Sequence, residues 1–212
     1  MSRIQAFALS VLATSAMMLV VGPAFAAEAA PAAQPAAGTA TQANLPGDSL
    51  YHLDAPLVDQ DGHAFRFADG RGRPRVVSLF YASCKFVCPL IIETVQKTER
   101  ALPEATRGGL DVLLVSLDPD RDTPEALRRV ADKRKVDTPR WRLARTDKGH
   151  VRQLAALLGV QYKQLDDGEF SHASVLVLLD AEGRIVARSE RLGEADAGFV
   201  AAVRGVLDPS AR

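Results

Sequence analysis

The chain carries no excess charge of either sign. Its 26 Lys and Arg balance 26 Asp and Glu, so no global field draws in nucleic acid or an anionic membrane, and a nucleic-acid role is the poorer expectation. There is no internal repeat, and 212 residues leave room for one domain with a sizeable core and a tail, not for two large domains. Cysteine is scarcer still, since Cys84 and Cys88 are all there is. Large apolar side chains almost vanish from "AEAAPAAQPAAGTATQANLPG", residues 27–47. Such a stretch buries too little to offset its ordering entropy and reads as a flexible linker.

What precedes the linker is apolar. Arg3 starts a run that continues to Val21, Gly22 and Pro23 break it, and Ala24-Phe25-Ala26 follows as a small-x-small site. Residues 1–26 therefore read as a secretory signal cut after Ala26, the run being a little short of a spanning helix. No cysteine lies near the cut, so lipidation there has no acceptor. The expectation is an exported protein, in the bacterial periplasm and soluble after cleavage, with its folded domain at residues 48–212. In that oxidising compartment a lone cysteine pair can close as a disulfide.

Within the domain, short β-branched runs alternate with helical periodicity. "PLVDQDGHAFRF" has strand-like residues on both sides of Asp61-Gly62, a hairpin signal. "RVVSLFY" (75–81) and "LDVLLVSLD" (110–118) are continuous apolar runs of the kind buried on both faces. Between them, Ile91, Val95 and Leu102 have helical spacing, with Pro89 in the first turn and Pro103 as a stop. "TPEALRRVADKRK" is a helix with Thr123 as N-cap and Pro124 at its first position, and Trp141 to Ala144 is a weak strand. "KGHVRQLAALLG" is a third helix stopped by Gly159, and "ASVLVLLDAEGRIVARSE" is a hairpin turning at Ala181-Glu182-Gly183. The last helix runs from about Glu194 to Leu207 and buries Ala195, Phe199, Val203 and Leu207. The expected class is α/β: a central mixed sheet flanked by helices, with an N-terminal β-hairpin. A thioredoxin-like fold suits that pattern without being required by it.

The thiols sit in "FYASCKFVCPLII" (80–92), past the end of a buried strand and at the start of a helix. In open α/β sheets that is the usual place for chemistry. Unpaired N–H groups at a helix N-terminus stabilise thiolate over thiol, and Lys85 pushes the same way, so at least one thiol should have a depressed pKa. Residues four apart on a helical turn have Cβ atoms about 5–6 Å apart. Two sulfurs so placed can pinch one soft ion or oxidise to each other. A purely stabilising disulfide is the weakest option, because so short a loop removes little unfolded-state entropy. Two thiolates suit Cu(I), but the ion stays open unless a third ligand arrives from elsewhere.

Only four histidines exist. His52 and His63 flank the first hairpin and His150 opens a helix, so all three read as surface residues. His172, in "DDGEFSHASVLVLLD", lies between a polar turn and a strong strand, where a neighbouring loop could reach it. A neutral imidazole would complete a sulfur and nitrogen site acceptable to either copper oxidation state.

Three segments in this order, "YASCKFVCP", "SLDPDRDTPEAL" (116–127) and the lone histidine of "SHAS", resemble the SCO/SenC family of thioredoxin-like copper proteins. The resemblance runs from the "LVDQDGHAF" hairpin to the last helix, and "DPDRDTPE" is its most specific part. It implies a thioredoxin-like fold, copper held by Cys84, Cys88 and His172, and a role in maturing the copper site of cytochrome c oxidase. The partners it implies are a copper-enzyme client, such as an oxidase subunit, and a copper donor. The chain departs from the family's Cys-Pro-Asp-Val-Cys-Pro pattern, with Lys85 and Phe86 where Pro and Asp would stand. "DPDRDTPE" also has a plain reading as a strand end and helix start, with Arg121 pairing Asp118, Asp120 or Asp122 to fix the loop; it is expected to be scaffold. The expected protein is a copper chaperone, not primarily a catalyst. The rival is a thiol-disulfide oxidoreductase in which Cys84 and Cys88 are the redox pair, Cys84 attacks, and His172 is dispensable. A peroxidase of the wider thioredoxin-like class is a poorer third.

Overall fold

The computed structural model describes residues 45–84 and 87–208. The expected signal, nearly all of the linker and Lys85 with Phe86 lie outside the described residues. Strands β1 (Pro56–Asp59) and β2 (Ala64–Arg66) form the expected hairpin. Asp59 Oδ1 accepts from the amides of Asp61 and His63, both at 2.9 Å, and Gly62 takes φ 79°, which a side chain would resist. Next come β3 (Arg75–Phe80), α1 (Val87–Arg100), the one-turn α2 (Glu104–Arg107) and β4 (Asp111–Ser116). Then follow α3 (Pro124–Arg134), β5 (Trp141–Arg145) and α4 (Lys148–Leu157). Two short strands, β6 (Tyr162–Gln164) and β7 (Phe170–His172), precede the β8 (Leu176–Leu179) and β9 (Ile185–Ser189) hairpin, and α5 (Ala197–Leu207) closes the chain.

Seven strands form one mixed sheet in the order β2-β1-β5-β4-β3-β8-β9, while β6 and β7 pair apart from it. Strand β3 lies parallel to β4 and antiparallel to β8, and β4 is parallel to β5. All six residues of β3 and all four of β8 are buried, as continuous apolar runs covered on both faces should be. Helices bring their apolar stripes to this sheet through Ile91, Ile92 and Val95 of α1, Leu127 of α3, Val151 and Leu154 of α4, and Phe199 and Val203 of α5. The fold is thioredoxin-like, as the elements led one to expect.

Helix ends follow their side-chain signals. Thr123 Oγ1 accepts from Ala126 N at 3.3 Å with Pro124 as the first helical residue, and Gly159, just past α4, takes φ 65°. Three features differ from expectation. Helix α1 begins at Val87, so Cys88 belongs to its first turn instead of preceding it. Helix α5 begins at Ala197, capped by the Asp196 carboxylate, and leaves Ala195 and Leu207 half-buried. The segment read as a polar turn before His172 is the β6–β7 hairpin, in which Tyr162 stands opposite His172. No helix among the described residues is long and apolar enough to cross a membrane.

Candidate metal centre

Strand β3 delivers the thiols. It ends at Phe80, and the chain turns through Ala82 and Ser83 so that Cys84 N donates to Tyr81 O at 3.3 Å. Each sulfur then receives a backbone amide. Tyr81 N donates to Cys88 Sγ at 3.3 Å, and Cys88 N, in the first turn of α1, donates to Cys84 Sγ at 3.4 Å. Cys84 is half-buried, whereas Cys88 is 3% exposed. A cavity of about 280 Å³ opens beside them, walled by both cysteines, Pro89, Ile92 and Val130.

Burial pushes the Cys88 thiol pKa up, and Cys84 adds to that, while the Tyr81 amide opposes it. The expected depression therefore fails at Cys88. The Tyr81 amide favours thiolate at Cys88, but desolvation of a nearly enclosed sulfur outweighs it.

The "DPDRDTPE" stretch supports the thiol loop. Buried Asp122 accepts through Oδ2 from Ala82 N at 2.9 Å and from Ser116 Oγ at 2.5 Å. Its pKa is raised by burial and lowered by these two hydrogen bonds, in that order of size. Arg121 pairs with Asp118, one of the three acids expected, and also donates to Gly168 O in the turn between β6 and β7. Asp120 instead meets Lys148 at 2.5 Å. The loop is thus scaffold, and it ties the thiol turn to the hairpin that carries the histidine.

His172 ends β7, half-buried. Its Nδ1 lies 3.2 Å from Ala173 O; a carbonyl only accepts, so Nδ1 carries the proton and Nε2 presents its lone pair. Burial lowers the imidazole pKa, with the Ala173 carbonyl opposing, so the ring is held neutral, the form a metal requires.

Tyr81 joins the two halves. Its backbone amide holds Cys88 Sγ, its ring meets His172 edge-on at 6.0 Å and 71°, and its hydroxyl donates to Glu169 Oε2 at 3.0 Å. Its phenol pKa is raised, first by burial and next by a hydrogen bond with the Cys84 side chain. Phe170 packs on the same ring at 5.3 Å. Nothing in the sequence singled out Tyr81 or Glu169; the one available signal was the position of Tyr81 at the mouth of the thiol strand.

The structure therefore brings the thiols together and sets His172 beside them across Tyr81, without closing the three donors on one point. Among the described residues, the one trio of His, Cys, Asp or Glu whose donor atoms all lie within 4.8 Å of one another is Asp59, Asp61 and His63. Those belong to the β1–β2 turn, where Asp59 is occupied with backbone amides and the His63 side chain is 78% exposed. His52 is exposed, with Nε2 2.9 Å from Pro46 O, and His150 pairs with Asp147, so the other histidines are surface groups as expected.

A thioredoxin-like sheet with a Cys-x-x-x-Cys turn and an imidazole on an inserted hairpin defines the class. The SCO1/SenC family profile matches residues 49–207, and the chain belongs to that family. A relative in Stutzerimonas stutzeri, named as a candidate copper-binding protein, is 32% identical over 72 residues, 34% of this chain and 35% of that one. The chain thus spans about a third of that relative. The structure of Bradyrhizobium japonicum ScoI with copper bound superposes with TM-score 0.62 at 23% identity, over 73% of this chain and 98% of that one. BsSco, described as a member of the Sco family of cytochrome c oxidase assembly proteins with a disulfide switch, gives 0.63 at 16% identity, over 73% and 92%.

Proposed function

We propose that the protein is a copper chaperone that carries one copper ion on Cys84, Cys88 and His172 and assists maturation of the copper site of a respiratory oxidase or another copper enzyme. The observation that supports this reading is the double contact of Tyr81, whose amide donates to Cys88 Sγ while its ring packs edge-on against His172, an imidazole that burial keeps neutral. Two soft thiolates with one imidazole suit copper in either oxidation state. Family membership and the copper-bound relative support the same choice of ion. Loading draws the hairpin and the thiol turn together around the ion, and the ion then passes to a client after arriving from a donor. His172→Ala should weaken Cu(II) binding sharply and Cu(I) binding less, since two thiolates still hold Cu(I).

The test is copper stoichiometry on the reduced protein beside a Cys84→Ser, Cys88→Ser double variant. One equivalent bound tightly, and lost in the variant, supports the chaperone. Binding no better than the variant's overturns it.

In the same reading, residues 1–26 are a signal cleaved after Ala26, 27–47 a linker and 48–212 the working domain, exported to the bacterial periplasm. N-terminal sequencing of the mature protein should begin at Ala27.

A second reading, a thiol-disulfide oxidoreductase, is favoured by one contact. The Cys88 amide at the helix start donates to the more exposed sulfur, Cys84, the arrangement an attacking thiolate needs. Cys84 would open a client disulfide, forming a mixed disulfide and releasing one client thiol. Cys88 would then displace the second, leaving the client reduced and Cys84–Cys88 oxidised. Client reduction that survives His172→Ala but not Cys84→Ser would move this reading to first place.

A further inference from the structure

At the other end of β3 from the thiols, a second cavity of about 300 Å³ opens where β3, β4 and β5 begin. Its wall contains four arginines, Arg73, Arg75, Arg140 and Arg142, and two carboxylates, Asp69 and Asp111.

One carboxylate is paired with an arginine of the wall and the other is capped by a backbone amide. Asp111 Oδ1 holds Arg73 at 3.0 Å, and Asp69 Oδ2 accepts from Arg66 N at 2.7 Å. Arg140 is neutralised from outside the cavity by Glu99 and Asp137, each at 2.7 Å. That leaves Arg75 and Arg142, neither of which has a carboxylate within 4.0 Å among the described residues. Arg142 stands over the Phe65 ring at 4.4 Å.

Arg75 is the anomaly. It is 5% exposed, yet among the described residues its guanidinium makes one long hydrogen bond, 3.5 Å from Nη1 to Phe67 O. The guanidinium lies against the backbone at Gly70, where a Cβ would come within 2.3 Å of its Cζ. A buried cation is costly unless paired and hydrogen-bonded, and an arginine fork offers five donors. Burial pulls its pKa down, Tyr51 and Asp111 oppose, Arg142 pulls it down further, and Asp69 opposes last. Tyr51, the first of those neighbours, itself has a buried hydroxyl with no hydrogen-bond partner among the described residues.

We propose that this cavity binds a small polyvalent oxoanion, of the class shared by phosphate and polycarboxylates, between the guanidiniums of Arg75 and Arg142. Guanidinium forks match such oxygens in pairs, and the anion supplies the charge the wall lacks. The site shares no lining residue with the cavity beside the thiols.

Titration calorimetry with inorganic phosphate and with citrate, against chloride at matched ionic strength, tests it on the purified protein. We expect saturable binding of at least one of the two, and the stronger of the two arms distinguishes phosphate from carboxylate. Arg142→Gln, at the half-buried rim, should weaken that binding at least tenfold, while the Cys84→Ser, Cys88→Ser variant should bind as the wild type does. Arg75→Met, if it folds, should lose the anion's thermal stabilisation. Neither anion binding beyond the chloride control would overturn the proposal. Equal affinity in wild type and Arg142→Gln would do the same, and so would binding lost with the thiols.

Discussion

The two halves of the candidate centre are built differently. The thiol turn grows from β3, a central strand buried along its whole length, and Asp122 pins its first residue to Ser116 at the end of β4. The histidine rides on two three-residue strands outside the main sheet, most of whose side chains are exposed or half-buried. The hairpin is held to the core through Tyr81, Phe170 and the Arg121 contact to Gly168. One half is built into the core, and the other on short strands beside it. In the proposed carrier, that asymmetry would let the thiol pair keep hold of the ion while the imidazole comes and goes.

The comparison can be broken first by equal truncations on its two sides. Phe80→Ala empties a fully buried site at the root of the thiol turn and should cost about 3–5 kcal/mol in thermal or denaturant unfolding. Phe170→Ala, on the half-buried hairpin, should cost about 1 kcal/mol while loosening His172. Similar losses from both would show the hairpin to be as integral as the core.

Asp122→Ala comes next. It leaves the Ala82 amide and the Ser116 hydroxyl without their acceptor and should cost about 2 kcal/mol, with faster hydrogen exchange at Ala82. Asp122→Asn keeps an acceptor oxygen, and because burial already disfavours the ionised carboxyl it should lose less than the alanine variant. The reverse order would mean that the charge matters more than the acceptor.

Tyr81→Phe is subtler. It removes the hydroxyl's bonds to Glu169 and to the Cys84 side chain but keeps the ring against His172. It should cost about 1 kcal/mol in stability, with Cu(II) affinity falling more than Cu(I) affinity. A larger loss for Cu(I) would place Tyr81 with the thiols alone.

The smallest effect lies in α4, the helix that leads into the hairpin. His150, followed by the backbone amides of the helix start, holds the Asp147 carboxyl down at about 2. A carboxyl lowered by folding stabilises above its unfolded pKa of about 3.9 and loses that contribution as pH falls to its folded value. Melting temperature should therefore decline between about pH 4 and pH 2, and Asp147→Asn should flatten that limb.

Much of this was legible in the sequence, for identifiable reasons. The buried strands, the capped α3 and the Asp61-Gly62 turn each follow from local pattern: unbroken apolar runs, Thr123 before Pro124, and a glycine where φ is positive. The place of the two cysteines was legible because they stand between the end of an apolar strand and the start of a helix. The β6–β7 hairpin was not, since Lys163, Gln164 and Ser171 face solvent and three-residue strands leave no alternation to read. The start of α1 is read two residues late because Pro89 looks like the residue that opens the helix, whereas proline is tolerated throughout a first turn and here follows Val87 and Cys88 in it. Tyr81 escaped notice because its role depends on which elements meet over its ring. The lowered pKa expected of at least one thiol does not appear at Cys88, because helix polarity shows in sequence and the depth of burial does not.

The most direct test of the account is X-ray absorption at the copper edge on the copper-loaded protein, wild type beside His172→Ala. The account predicts two sulfur scatterers and one imidazole in the wild type, with the imidazole signal missing from the variant. An imidazole signal unchanged by the substitution, or a first shell without sulfur, would contradict it.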